Sequence, residues 1–279
     1  MTRFAARSIL LLGALGATLP AVARAQPKAA DLVKLELVAD TTRLEPGKPV
    51  TLAVKFTIAP GWHIYWQNPG EAGLATEVEL KGPAGYEIGA VRFPGPVKFQ
   101  TPGETAASYG YSGSAVLSSS VAPTARAGKA AAPARFVAEA TYLACRDMCI
   151  RGQASASLEL PAASRAEPAR PAHAELFKKH RAELPRSMKE LGARARWTRD
   201  ERGVQLALAL RRGDAVEYFP PTGEDLQLVA QEPGGTAGKR EIVLRYKPAF
   251  KPARARGVLA VTEGQERRFY ALDLEEKPK

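Results

Sequence analysis

A chain of 279 residues contains only two cysteines, and they stand four apart in the stretch TYLACRDMCIRG, residues 141–152. They are Cys145 and Cys149, separated by Arg146, Asp147 and Met148. Three chemistries use such a pair. As a structural staple it closes a ring of about five residues, which gives roughly 2 kcal/mol because so short a loop has little freedom to lose. A chain of this length buries a core without that help, so stability alone explains the pair poorly. As a metal clip, Cys145, Cys149 and Met148 form a soft set suited to Cu(I). That reading lacks a third strong ligand nearby, and no second Cys/His cluster completes a zinc site. As a redox couple the pair sits where residues 142–144 end one strand pattern and residues 154–160 begin the next. A bond at such an exposed reversal tends to be reducible, whereas structural disulfides resist reduction. Arg146 favours a neighbouring thiolate and Asp147 opposes it, so neither sulfur is assigned the lower pKa. The redox reading leads, with the staple and the soft-metal site left open. A thiol nucleophile with a histidine base has no support: His63 lies in a strand pattern, and His173 and His180 lie in a connector.

The segment WHIYW, residues 62–66, is the other place where chemistry-bearing side chains cluster. Alternation along a strand puts Trp62, Ile64 and Trp66 on one face and His63 and Tyr65 on the other. The two tryptophans belong to the core face. His63 and Tyr65 are then either neighbours of the cysteines or part of a solvated face.

Compartment decides what a cysteine pair can do. Arg3 and Arg7, the apolar stretch of residues 8–19 and Ala23-Arg24-Ala25 ahead of Gln26 form a secretory signal pattern, residues 1–25, cleaved before Gln26. The apolar stretch is interrupted by glycines and falls short of the roughly 20 residues that span a bilayer. No later segment is long or apolar enough to cross one, so stable membrane insertion is not expected. Removing residues 1–25 takes away three arginines and no acid, lowering the formal charge from +11 to +8. The basic residues are scattered in pairs such as Lys178-Lys179 and Arg211-Arg212, without the interleaved aromatic and glycine pattern of a nucleic-acid surface. They read as a solvated basic face.

Short alternating runs at residues 32–39, 50–58, 62–66, 76–80, 115–121 and 136–143, broken by Pro/Gly-rich stretches, predict an antiparallel sandwich over residues 26–160. Residues 123–133 form a low-complexity loop. Alanine, arginine and proline dominate residues 161–171. Leu176, Phe177, His180 and Leu184 then recur at helical spacing, so residues 161–192 form a connector with a short helix, His180 packing at its edge. Runs at 194–198, 204–210, 226–231, 241–246, 257–262 and 268–274 predict a second β-sandwich over residues 193–279, with no cysteine or histidine. The fold class is all-β, two immunoglobulin-like β-sandwich domains joined by a short helical connector.

The order of GWHIYWQNPGEAGL (61–74), YGYSGSAVL (109–117) and YLACRDMCI (142–150) resembles the periplasmic N-terminal domain of the thiol:disulfide interchange protein DsbD, and more closely its ScsB-like branch of copper-sensitivity suppressors. The resemblance is good over residues 32–160 and weaker beyond. It implies an immunoglobulin-like redox domain, reduced by a thioredoxin-like domain, that passes electrons to periplasmic thiol proteins. It also implies that Cys149 attacks and Cys145 resolves, with His63 and Tyr65 as flanking rings and a covering loop near residues 105–110. Arg146, Asp147 and Tyr109 complete the flanking set. The family's phenylalanine cap falls on Ser108, next to Tyr109, and His63 stands where the family has a tyrosine. Full-length relatives continue into a membrane electron carrier and a thioredoxin domain. These 279 residues hold neither, so the expected donor is a separate thioredoxin-like domain or membrane electron carrier, and no cofactor or metal is expected.

Overall fold

The computed structural model describes residues 27–100, 107–124, 133–222, 227–234, 240–248 and 253–277. The predicted signal segment lies outside them, as do residues 105–106 of the covering loop and most of the 123–133 loop.

After a single helical turn, α1 (Ala29–Leu32), the first half of the chain is ten strands: β1 (Val33–Ala39), β2 (Val50–Ile58), β3 (His63–Gly70), β4 (Glu77–Lys81), β5 (Tyr86–Ile88), β6 (Val97–Phe99), β7 (Ser108–Ser112), β8 (Ser114–Pro123), β9 (Ala134–Cys145) and β10 (Cys149–Leu160). They form two antiparallel sheets, β1-β2-β8-β5 and β10-β9-β3-β7-β6, with β4 paired to β9 as well. Period-two alternation explains the layering. Leu52, Val54, Phe56 and Ile58 of β2 face Phe136, Ala138, Ala140, Tyr142 and Ala144 of β9 and Ile64 and Trp66 of β3 in one buried cluster.

The connector does not hang free. Residues 161–172 run along residues 40–44, bonded through Leu44 N to Pro161 O, Ala163 N to Leu44 O, Thr42 N to Arg170 O and Ala172 N to Asp40 O. Helix α2 (Ala174–Glu183) follows and buries Phe177 and His180. His180 Nε2 lies 2.7 Å from Ser118 Oγ on β8. The helix's last carbonyl, Glu183 O, accepts from Gly95 N at 2.9 Å.

The second half comprises β11 (Arg186–Ser187), the short helix α3 (Met188–Leu191), β12 (Arg194–Asp200), β13 (Gly203–Ala209), β14 (Ala215–Phe219), β15 (Leu228–Gly234), β16 (Glu241–Tyr246), β17 (Arg254–Glu263) and β18 (Glu266–Glu275). Sheets β11-β18-β17-β14 and β12-β13-β16-β15 enclose a core of Leu206, Leu208, Leu244, Tyr246, Leu259 and Tyr270. The chain is therefore all-β, two immunoglobulin-like sandwiches with a short helical connector. Sheet β11-β18-β17-β14 is apolar on both faces: Phe219, Val258, Ala260 and Phe269 point outward and join the first sandwich's core. Gly95 makes this close approach possible, because a Cβ there would lie 2.0 Å from the Phe269 ring.

Candidate redox site

The two cysteines bracket a hairpin. Cys145 ends β9, Cys149 starts β10, and they face each other as the first rung of that ladder, joined in a disulfide with Cα atoms 4.1 Å apart. The three intervening residues make the reversal, closed by Arg146 N donating to Met148 O at 3.0 Å. On the other side of β9, Cys145 pairs with His63 of β3. The row His63, Cys145, Cys149 thus crosses three neighbouring strands, and directly paired residues share a face.

The sulfurs are unlike each other. Cys145 is 1 % exposed, whereas Cys149 lies open at the hairpin, beside Met148, which is 47 % exposed. Tyr65 Oη donates to Cys145 Sγ at 3.2 Å and lies 4.0 Å from Cys149 Sγ. Its ring rests on Gly73, whose φ of +104° and missing side chain are both required, since a Cβ would sit 2.3 Å from the ring. Burial raises the Tyr65 pKa, so the phenol keeps its proton and remains a donor.

His63 stacks on Phe99 with ring centroids 4.4 Å apart and meets Tyr65 edge-on at 5.3 Å. Its Nε2 is buried and has no hydrogen-bond partner among the described residues. Burial lowers its pKa. Arg146 and Asp147 form an exposed ion pair at 2.9 Å, and the guanidinium lies over the Trp62 ring at 5.1 Å. Trp62, Ile64 and Trp66 are buried in the core, the face that alternation assigns them.

Tyr109 is not brought to the cysteines. Alternation along β7 turns it to the face of Tyr111, and its ring packs edge-on against Phe219 at 5.1 Å. Ser108 carries no cap either: it pairs with Phe99 across β6 and β7, and the ring of Phe99 is the one that reaches His63. Phe99 is a site residue that the sequence reading misses. Its signal was a three-residue run, VKF, hidden between proline-rich and glycine-rich neighbours. Among the described residues no group of three or more His, Cys, Asp or Glu is placed to hold a metal ion.

The site is thus a β-sandwich with a cross-strand disulfide at a sheet end, one sulfur open and one buried under a phenol. Residues 29–161 match the family described as thiol:disulfide interchange protein DsbD, N-terminal. The crystal structure of the N-terminal periplasmic domain of ScsB from Proteus mirabilis superposes with a TM-score of 0.62 at 18 % identity, covering 88 % of this chain and 95 % of that one. At that identity the likeness concerns the fold, and it extends over both sandwiches. A chimeric titin Z1Z2 chain matches at 12 % identity over 89 % of this chain and 98 % of its own, but with a TM-score of 0.20. No curated protein matches the chain. No helix among the described residues is long and apolar enough to cross a membrane.

Proposed function

We propose that the chain is an exported relay of reducing equivalents: a thioredoxin-like domain or membrane electron carrier reduces Cys145–Cys149, and the dithiol then reduces periplasmic thiol proteins. The division assumed is a signal peptide cleaved before Gln26, a redox sandwich over residues 26–160, a connector over 161–192 and a second sandwich over 193–279. The observation that carries the reading is the asymmetry of the pair, Cys149 open and Cys145 buried beneath the Tyr65 hydroxyl. A donor thiolate reaches Cys149 Sγ first. A new S–S bond forms there, the old bond breaks, and its electron pair stays on Cys145 Sγ, where Tyr65 donates a hydrogen bond. A second donor thiol then releases the dithiol. In the forward step the Cys149 thiolate attacks a client disulfide and Cys145 resolves the mixed disulfide.

The test is covalent trapping. Replacing Cys145 with alanine leaves a client bound to Cys149 with no internal thiol to free it, so adducts that vanish on reducing gels should accumulate after acid quench. The Cys149→Ala variant should trap far less, because its remaining sulfur is buried. If both variants give no adducts and the reduced wild type holds Cu(I) tightly, the pair is a soft-metal site and the relay reading fails.

A further inference from the structure

The relay leaves one buried ionisable group unused. Cys145 leaves as a thiolate in a place that solvent scarcely touches, at 1 % exposure, and an isolated buried charge is costly unless it is paired or neutralised. Tyr65 offers a hydrogen bond at 3.2 Å, but burial raises its pKa, so it keeps its proton. His63 stands directly opposite Cys145 in the β3–β9 ladder, and its Nε2 is buried without a partner among the described residues. A buried ring nitrogen left unsatisfied is a free-energy cost to the fold. That cost falls on the disulfide form and is relieved if reduction supplies a sulfur partner.

Resting on the exchange reading, we infer that His63 is the proton donor to the Cys145 thiolate released when the disulfide opens. Donor thiolate sulfur bonds to Cys149 Sγ, the Cys145–Cys149 bond breaks, and its electron pair goes to Cys145 Sγ. The His63 imidazolium passes its proton to that sulfur and is left as the neutral imidazole. The new thiol then donates its S–H to the freed ring nitrogen. Among the described residues, the groups that flank His63 on its own and the neighbouring strands are Tyr65 on β3, Cys145 on β9, Cys149 next along that row on β10, Ser112 opposite on β7 and the Phe99 ring from β6. The nearest charges on the hairpin, Arg146 and Asp147, are paired with each other, with the guanidinium over Trp62. Burial alone lowers the His63 pKa below its usual 6.5. Proton donation therefore grows as pH falls below that value and fades above it.

The experiment measures reduction of the whole protein by dithiothreitol between pH 5.5 and 8, with acid quench and alkylation, expressed per donor thiolate. Two variants accompany the wild type: His63→Gln, which cannot titrate, and His63→Phe, which also keeps a ring against Phe99. General acid assistance is commonly worth 10²–10⁴-fold, so the wild-type rate per thiolate should rise about tenfold or more toward pH 5.5 while both variants stay within about twofold of flat. If one variant does not fold, as judged by its thermal transition, the other decides. A variant that keeps the wild-type rise overturns the assignment of His63 and leaves the relay intact. A wild type that no thiol reduces at any pH overturns the relay and this inference together.

Discussion

Tyr65 sets a hydroxyl 3.2 Å from a sulfur that solvent barely reaches, and deleting that one oxygen separates packing from chemistry. Tyr65→Phe keeps the ring seated on Gly73 and removes only the donor. A hydrogen bond to a charged group contributes about 1.5–3 kcal/mol, so losing it should slow release of Cys145 by roughly ten- to a hundredfold. Because the bond favours the thiolate over the disulfide sulfur, the reduction potential should fall too, by about 30 mV for each tenfold change in the equilibrium. Stopped-flow reduction and a dithiothreitol redox titration measure the two effects. An unchanged rate with a lowered thermal midpoint would make the phenol a packing residue. Phe99→Ala addresses the neighbouring ring. It uncovers His63 without touching a sulfur, so reduction by glutathione should speed up several-fold with the potential nearly unmoved, and a slower reaction would show that the ring does not restrict access.

Helix α2 carries a second histidine whose role is the opposite of the first. His180 is 2 % exposed against β8, bonded to Ser118, and its pKa is lowered to about 4 by burial first and then by Arg92 and Arg181. The folded state therefore binds fewer protons than the unfolded chain between about pH 6.5 and 4, so the histidine's contribution is complete above 6.5 and is lost as pH falls through that window. Its full size is on the order of 3 kcal/mol. Denaturant melts across that range should show His180→Gln lacking this part of the acid slope, and a slope equal to the wild type's would mean that the ring is protonated in the fold. The sequence showed that the helix exists and that His180 lies on its packed side, because helical periodicity is a local property. Long strands were legible for the same reason: β2 and β16 fall at residues 50–58 and 241–246, where alternation puts them. The strands that escaped, β5, β6, β7, β11 and β14, are two to five residues long and sit near prolines and glycines. They are held by pairing with distant strands more than by propensity. That is why the cysteines, His63 and Tyr65 were visible as candidates while Phe99 was not. Its ring reaches His63 through a β6–β7 pairing that the sequence pattern did not mark, and Tyr109, set beside the cysteines by the resemblance, packs instead against Phe219.

At the scale of the molecule, the second sandwich completes the core of the first. Phe219 packs edge-on against both Trp66 of β3 and Tyr109 of β7, the two strands that bear His63, Tyr65 and the Ser108 partner of Phe99. Asn68 Nδ2 donates to Pro220 O at 2.7 Å and Thr222 Oγ1 to Gln67 O at 2.8 Å, fastening the far end of β3 to the same place. Arg267 spans the Phe219 and Phe269 rings and pairs with Glu217 at 2.7 Å. A strand gripped at one end by a neighbouring sandwich and paired at the other with a disulfide makes the two halves mechanically continuous, so the wild type should unfold in one calorimetric transition. Truncating a buried phenylalanine typically costs about 3–5 kcal/mol, and here that loss falls on the contact between the halves. Phe219→Ala should therefore divide the single transition into two. A fragment of residues 26–160 should show the same weakness more directly: it keeps Trp62 and Trp66 but leaves Trp66 without the phenylalanine that covers it. Its fluorescence should lie to the red of the emission that the same two tryptophans give in a full-length Trp197→Phe protein, and its midpoint should fall. A fragment that matches the intact chain in both would mean that the first sandwich stands alone and the second merely touches it.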